Sequence, residues 1–159
     1  MKEINKNLYV EGSLSKTVQN IINYVHEKDG KRIGLVRYTI ETNAGGHLPH
    51  NDWGDIRHME WCKYSVSILT TLDYEGGEFS FVDDSDKIIE TINKQDHYKN
   101  TLIYDVTHRH QVTPHHGGSR TVLLLFFKDL DEDDHTTCLE VNKLKFTDVE
   151  LLSLGNYLR

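Results

Sequence analysis

The stretch "HRHQVTPHHGGSR" at residues 108–120, followed by "TVLLLFF" at 121–127, decides how this chain is read. Four of the ten histidines fall within it, and it ends in an arginine that opens a strongly apolar run. Imidazole is the commonest side-chain metal ligand and a proton carrier near neutral pH, and it is also tolerated on surfaces. "RTVLLLFF" (120–127) is short, β-branched and aromatic, and lies beyond two glycines, so it reads as a buried strand with "HRHQVTP" (108–114) as its neighbour across a turn.

Outward from this pair the same texture recurs. "RIGLVRYTI" (32–40), "KYSVSILTTL" (63–72), "GEFSFV" (77–82), "KIIETI" (87–92) and "TLIYDV" (101–106) are separated by Gly, Asp and Asn, which makes about seven strands in all. Leu14, Val18, Ile21, Ile22 and Val25 recur at helical spacing, so 14–28 reads as an amphipathic helix stopped by Asp29-Gly30. Thr147 and Glu150 have capping-box spacing ahead of Val149, Leu151, Leu152 and Leu154, which predicts a closing C-terminal helix. The acidic run 129–134 reads as a solvated loop. Short strands flanked by helices predict a mainly β sandwich or jelly roll whose interior holds a ligand. At 159 residues the chain reads as a single domain, 1–159.

Composition narrows the function. A formal net charge of −7 argues against a broad nucleic-acid footprint, which needs a basic face. Cys62 and Cys138 have neither CxxC spacing nor the numbers of a disulfide framework. "MKEINKNLYVEG" (1–12) lacks the apolar core of a signal peptide, and no apolar run approaches the ~20 residues that span a bilayer. A cytoplasmic, reducing location is the expectation, with no membrane partner.

Upstream, "GGHLPHNDWGD" (45–55) holds His50 and Asp52. In an extended segment residues two apart share a side, so this imidazole and carboxylate are able to share one ion. His110, far along the chain, would complete a set of two histidines and one carboxylate, the facial triad of non-haem Fe(II) oxygenases. The HxD pair alone is a weak signal. Arg120, ten residues after His110, adds weight. A strand, a turn and a strand bring its guanidinium toward the same interior, where an unpaired cation is costly and a dicarboxylate would meet it.

Taken together, three motifs resemble those of 2-oxoglutarate- and Fe(II)-dependent dioxygenases of the prolyl-4-hydroxylase-like branch. "HQVTPHHGGSR" is similar to the signature HxVTPxxxGxR, "LDYEGGEFSF" (72–81) to the YEGGEF turn and strand, and "RYTIETNAGGHLPHND" (37–52) to the opening RY…G…PHxD. The match runs in order over about residues 33–128. The resemblance implies a double-stranded β-helix (jelly roll) with flanking N- and C-terminal helices. It implies Fe(II) on His50, Asp52 and His110, and Arg120 on the distal carboxylate of 2-oxoglutarate. Tyr38, twelve residues before His50, falls near a tyrosine that often donates to that carboxylate, and Ser67 near a frequent threonine contact to the cosubstrate. The activity implied is O2-dependent hydroxylation of a prolyl or other peptidyl side chain or a free amino acid, releasing succinate and CO2, with ascorbate as a possible reductant. A carboxylate at Asp52 fills the position that iron halogenases leave open, which favours hydroxylation. The competing reading is a non-catalytic or differently metallated, cupin-like jelly-roll binding module, which would have no need of all four of His50, Asp52, His110 and Arg120.

The remaining histidines and tryptophans have weaker claims. His108 shares strand parity with His110, but "HRH" has no suitably spaced glutamate after it, so it stays outside the ligand set. His115 and His116 read as a turn at the cavity mouth. His47 is a candidate for the pocket lining. Trp53 and Trp61 flank a polar segment and serve either as a lid or as a cap on the core. Gly76 and Gly77 serve the turn, and Gly118 permits the bend before the arginine strand.

Overall fold

The computed structural model describes residues 1–53, 59–132 and 134–144. In chain order the elements are β1 (Lys2–Asn5), α1 (Leu14–Asp29), β2 (Ile33–Thr42), β3 (His47–His50), β4 (Cys62–Leu69), β5 (Glu75–Gly76), β6 (Phe79–Val82), β7 (Ile88–Thr91), α2 (Lys94–His97), β8 (Thr101–Asp105), β9 (His110–Val112), β10 (His115–His116) and β11 (Thr121–Asp129), followed by a 3-10 turn at Val141–Lys143. Two antiparallel sheets face each other, one ordered β1-β8-β4-β11-β2 and the other β3-β9-β6-β7, with a two-stranded ribbon β10-β5 at one end. This is the jelly roll expected from the strand pattern. The seven expected strands are all present, most of them shortened, with β2 and β11 each running two residues further than expected. β1, β3, β5 and β10 are additional and no longer than four residues each.

The amphipathic helix forms where its periodicity places it. Ser13 caps it, its Oγ accepting from the Lys16 amide at 3.2 Å, and Gly30 ends it in the left-handed region (φ 67°) with its N–H donating to the His26 carbonyl. Leu14, Val18, Ile21 and Val25 are buried against Val66, Ile68, Ile103, Leu123, Leu125 and Phe127 of the five-stranded sheet. Because successive strand residues alternate faces, the odd-numbered β11 residues meet the helix, whereas Val122, Leu124 and Phe126 line a cavity between the sheets.

The predicted C-terminal helix lies outside the described residues. The acidic run is exposed at Leu130, Asp131 and Glu132, as a solvated loop would be, and is anchored at its two ends. Asp129 closes β11 and is buried, Asp131 binds Arg32 at 2.6 Å, and buried Lys128 donates to Asp134 Oδ1 and to the carbonyls of Asp134 and Thr136. No helix among the described residues is long and apolar enough to cross a membrane.

Candidate metal centre

The cavity takes one wall from each sheet. Arg37, Thr39 and Glu41 of β2, Ser67 of β4, Tyr104 of β8 and the even face of β11 form one side, and His47, His50, Phe79, His110 and Val112 the other. β3 and β9 pair with His50 directly opposite His110, so strand register alone brings two imidazoles together from distant parts of the chain. Their ring centroids are 4.4 Å apart, and Phe79 stacks on the far face of the site at 5.2 Å from His110.

Asp52, just past the end of β3, puts one oxygen between the two rings. Its Oδ1 is 3.2 Å from His50 Nε2 and 3.3 Å from His110 Nε2, and all three ligand atoms lie within 4.8 Å of one another. Its other oxygen accepts from Ser65 Oγ at 2.6 Å. The far nitrogens are also engaged, His50 Nδ1 with the Leu48 carbonyl at 2.8 Å and His110 Nδ1 with the His108 carbonyl at 3.1 Å. A carbonyl only accepts, so each Nδ1 carries the hydrogen and each Nε2 of a neutral ring offers a lone pair to the centre. Two bare nitrogens facing a carboxylate oxygen repel one another unless a proton or a cation stands between them, and a divalent ion satisfies all three at once. Burial alone would raise the Asp52 carboxyl, but its close approach to the His110 and His50 rings and the hydrogen bond from Ser65 outweigh it and hold the group ionised, well below the usual carboxylate range. Two imidazoles and one carboxylate, with the rest of the sphere open to the cavity, are the donor set suited to Fe(II).

Arg120 lines the same cavity and is 7 % exposed, and its Nε is buried without a hydrogen-bond partner among the described residues. Asn43, in the left-handed region at φ 56°, clamps its backbone. The Asn43 side chain accepts from the Arg120 amide at 3.0 Å, and the Asn43 amide donates to the Arg120 carbonyl at 2.8 Å. A Cβ on Gly77 would stand 2.8 Å from Arg120 Cδ, so the turn glycine also makes room for the guanidinium's stem. A Cβ on Gly118 (φ 146°) would strike the Asp73 carbonyl at 1.7 Å, which is why the bend before β11 needs glycine.

Ser67 is buried on the cavity wall. Tyr38 is not part of the site. It pairs with Leu125 on the helix side of the sheet and packs in that core, while its neighbours Arg37 and Thr39 face the cavity. The tyrosine beside Arg120 is Tyr74, whose ring centroid lies 6.0 Å from the guanidinium carbon. Its signal was its place ahead of the two turn glycines. A second residue unread in the sequence is His97, buried behind Ser67 and donating from Nε2 to the Ser67 carbonyl at 2.9 Å. Burial, only partly offset by that carbonyl and reinforced by the charge of Arg120, lowers its pKa to about 4.

His108 stands outside the cluster, 3.8 Å from Asp105, and contributes its carbonyl to His110. His47 lines the cavity and binds Glu41 at 2.9 Å. His115 and His116 form the ribbon with Glu75 and Gly76, and neither lines the cavity of the cluster. Trp61 packs beside Met59, Cys62 and Phe126, whereas Trp53 is about half exposed. The segment between the two tryptophans is outside the described residues for positions 54–58.

Solved structures share this fold. The chain is similar to an oxidoreductase of the 2OG-Fe(II) oxygenase family from Burkholderia pseudomallei, with a TM-score of 0.52 and 18 % identity over 76 % of this chain and 66 % of that one. It is also similar to AviO1 from Streptomyces viridochromogenes Tue57, with a TM-score of 0.51 and 11 % identity over 73 % of this chain and 60 % of that one. The chain therefore spans less than two thirds of each. At these identities the likeness establishes the fold. No protein-family model matches the chain, and no curated protein matches it in sequence.

Proposed function

We propose that this chain is an Fe(II)- and 2-oxoglutarate-dependent oxygenase that hydroxylates a C–H bond of a prolyl or other peptidyl side chain, or of a free amino acid. One observation carries the reading: two imidazole Nε2 atoms and a buried carboxylate oxygen converge in a cavity that also holds a buried arginine with an orphaned Nε. His50, Asp52 and His110 would hold the iron, and Arg120 the distal carboxylate of 2-oxoglutarate. Iron with that cosubstrate and O2 supplies oxidation of an unactivated C–H bond, releasing succinate and CO2.

The protein's own share is orientation and shelter. Ser65 fixes one oxygen of Asp52 so that the other faces the histidines, and two backbone carbonyls fix the ring tautomers. Phe79, Val112, Leu124 and Phe126 keep the wall apolar, which limits the water that would quench a reactive oxidant. The motif resemblance supports the prolyl-4-hydroxylase-like branch and hence the substrate class. The test is succinate release from 2-oxoglutarate with Fe(II) and ascorbate, run across peptides and amino acids with mass detection of a product heavier by one oxygen. Silence in succinate, together with no 2-oxoglutarate binding to the metal-loaded protein, would leave the cupin-like binding module as the better account.

A further inference from the structure

Once the iron ligands and the cosubstrate arginine are assigned, the cavity retains one row of polar side chains. Arg37, Thr39 and Glu41 alternate along β2 and face the cavity together. Glu41 is engaged by His47, whose Nε2 lies 2.9 Å from its carboxylate. Arg37 makes no hydrogen bond or ion pair among the described residues, although the chain as a whole is acidic, at −7. It stands opposite Phe126 in the register, at a solvent-open part of the wall, with apolar Phe126, Met59 and Leu124 around the cavity below. A guanidinium at the opening of an oxidising cavity, with no anion among the described residues to meet it, is a fork suited to a planar carboxylate.

We propose that Arg37 is the recognition residue for the primary substrate, and that this substrate carries a carboxylate that pairs with it while the carbon to be oxidised enters the cavity. The inference rests on reading the cavity as the site of C–H oxidation, and it narrows the substrate to carboxylate-bearing compounds, either free or N-acylated amino acids or an acidic side chain of a peptide. A neutral peptide segment would leave Arg37 unused. The site is distinct from that of 2-oxoglutarate, whose distal carboxylate belongs to Arg120 deeper in the fold.

The test uses matched acid and amide probes: N-acetylproline with N-acetylprolinamide, hippurate with hippuramide, and an Ala-Pro-Glu-Ala peptide with its Gln counterpart. Binding is read by saturation-transfer NMR on the full chain, both without metal and loaded with Mn(II) and saturating 2-oxoglutarate, where broadening of probe protons reports nearness to the ion. We expect at least one acid to bind about tenfold more tightly than its amide, as one charge-assisted contact is worth ~1.5 kcal/mol. That preference should vanish in Arg37→Gln and Arg37→Ala and be partly restored in Arg37→Lys. The response of free acids against the peptide pair tells the two carboxylate sources apart. Equal binding of acids and amides, a preference that survives Arg37→Gln, or no binding by any acid would overturn the proposal. The metal-free arm reads Arg37 whether or not iron and 2-oxoglutarate bind. Failure of Mn(II) to support 2-oxoglutarate binding therefore counts against the oxygenase reading, separately from the carboxylate preference.

Discussion

The two faces of the five-stranded sheet are made from the same strands and do opposite work. On β11, Leu123, Leu125 and Phe127 meet the amphipathic helix in a dry core, while Val122, Leu124 and Phe126 line the cavity. On β4, Val66 and Ile68 go to the core, and Ser65 and Ser67 go to the cavity side, where one orients a metal ligand and the other lines the wall. The helix face is largely apolar, and its polar groups, such as the Tyr64 and Thr101 hydroxyls, are tied to the rest of the fold. The cavity face alternates apolar wall with a few polar groups, some of them, such as Asp52 and Glu41, held by specific partners. Stability and reactivity are thus separated by a single residue step along a strand, and substitutions one position apart should have unrelated consequences.

The largest expected effect is on the cavity side. Asp52→Ala removes the carboxylate proposed to serve the ion, so succinate release should fall below detection, while circular dichroism shows the β-sheet signal retained. Turnover at the wild-type rate with saturating iron would remove Asp52 from the centre. On the proposed assignment, Arg120→Ala would leave the distal carboxylate of the cosubstrate to be buried alone, at a cost of ~3–4 kcal/mol, or two to three orders of magnitude in affinity. Titration of 2-oxoglutarate into metal-loaded, oxygen-free protein should show it, with metal affinity little changed, and an unmoved midpoint would break the assignment.

Leu125→Ala tests the other face. Leu125 is fully buried in the helix-side core, and its truncation should cost roughly 2–5 kcal/mol in denaturant unfolding. The folded fraction should turn over normally. A variant that lost activity in step with none of its stability would mean that the faces are not independent.

His97 links stability to pH from behind the cavity. Its pKa drops from an ordinary 6.5 to about 4 in the folded protein, so between those values the unfolded chain binds the proton and the native one resists it. Its contribution is complete above pH 6.5, is lost as pH falls from 6.5 toward 4, and amounts to about 3 kcal/mol over the window. His97→Gln should flatten the urea-unfolding free energy between pH 6.5 and 4, and an unchanged slope would show that His97 does not titrate across that range. The smallest effect expected is from Tyr38→Phe, which lies across the sheet from the cavity and should leave 2-oxoglutarate affinity within experimental error. A tenfold loss there would contradict the parity on which the comparison rests.

Most of this was legible before any coordinates. The long strands and the helix announce themselves because each buries a continuous apolar face, and His50, Asp52, His110 and Arg120 sit in motifs whose spacing survives folding. What escaped has physical causes. "KEIN" in β1 has no apolar alternation and becomes a strand only because β8 offers it an edge. His97 sits alone among polar residues, and nothing local says that it is buried. Tyr38 failed because motif spacing counts residues along the chain, whereas which face a strand residue takes depends on register against its neighbours. The pairing of β2 with β11 shifts between Phe126 and Phe127, where Val36 is the extra residue, so the parity of β2 changes just before Arg37 and Tyr38.

The pairing of His50 with His110 also carries a mechanical consequence. β3 is the outermost strand of its sheet, tied to β9 at His47–Val112 and His50–His110 with an irregularity between them. Two of the three proposed metal ligands lie one on each side of that seam, and the third follows directly on β3. A bound ion is therefore a rivet through the lip of the sandwich. Its binding energy is stored partly as closure of a seam that strand pairing alone holds by few bonds, and local opening of residues 47–50 becomes rarer as metal concentration rises above its dissociation constant. Amide hydrogens of that strand should exchange more slowly in the loaded protein, while those of β4 and β11, buried in the middle of the other sheet, keep their own time.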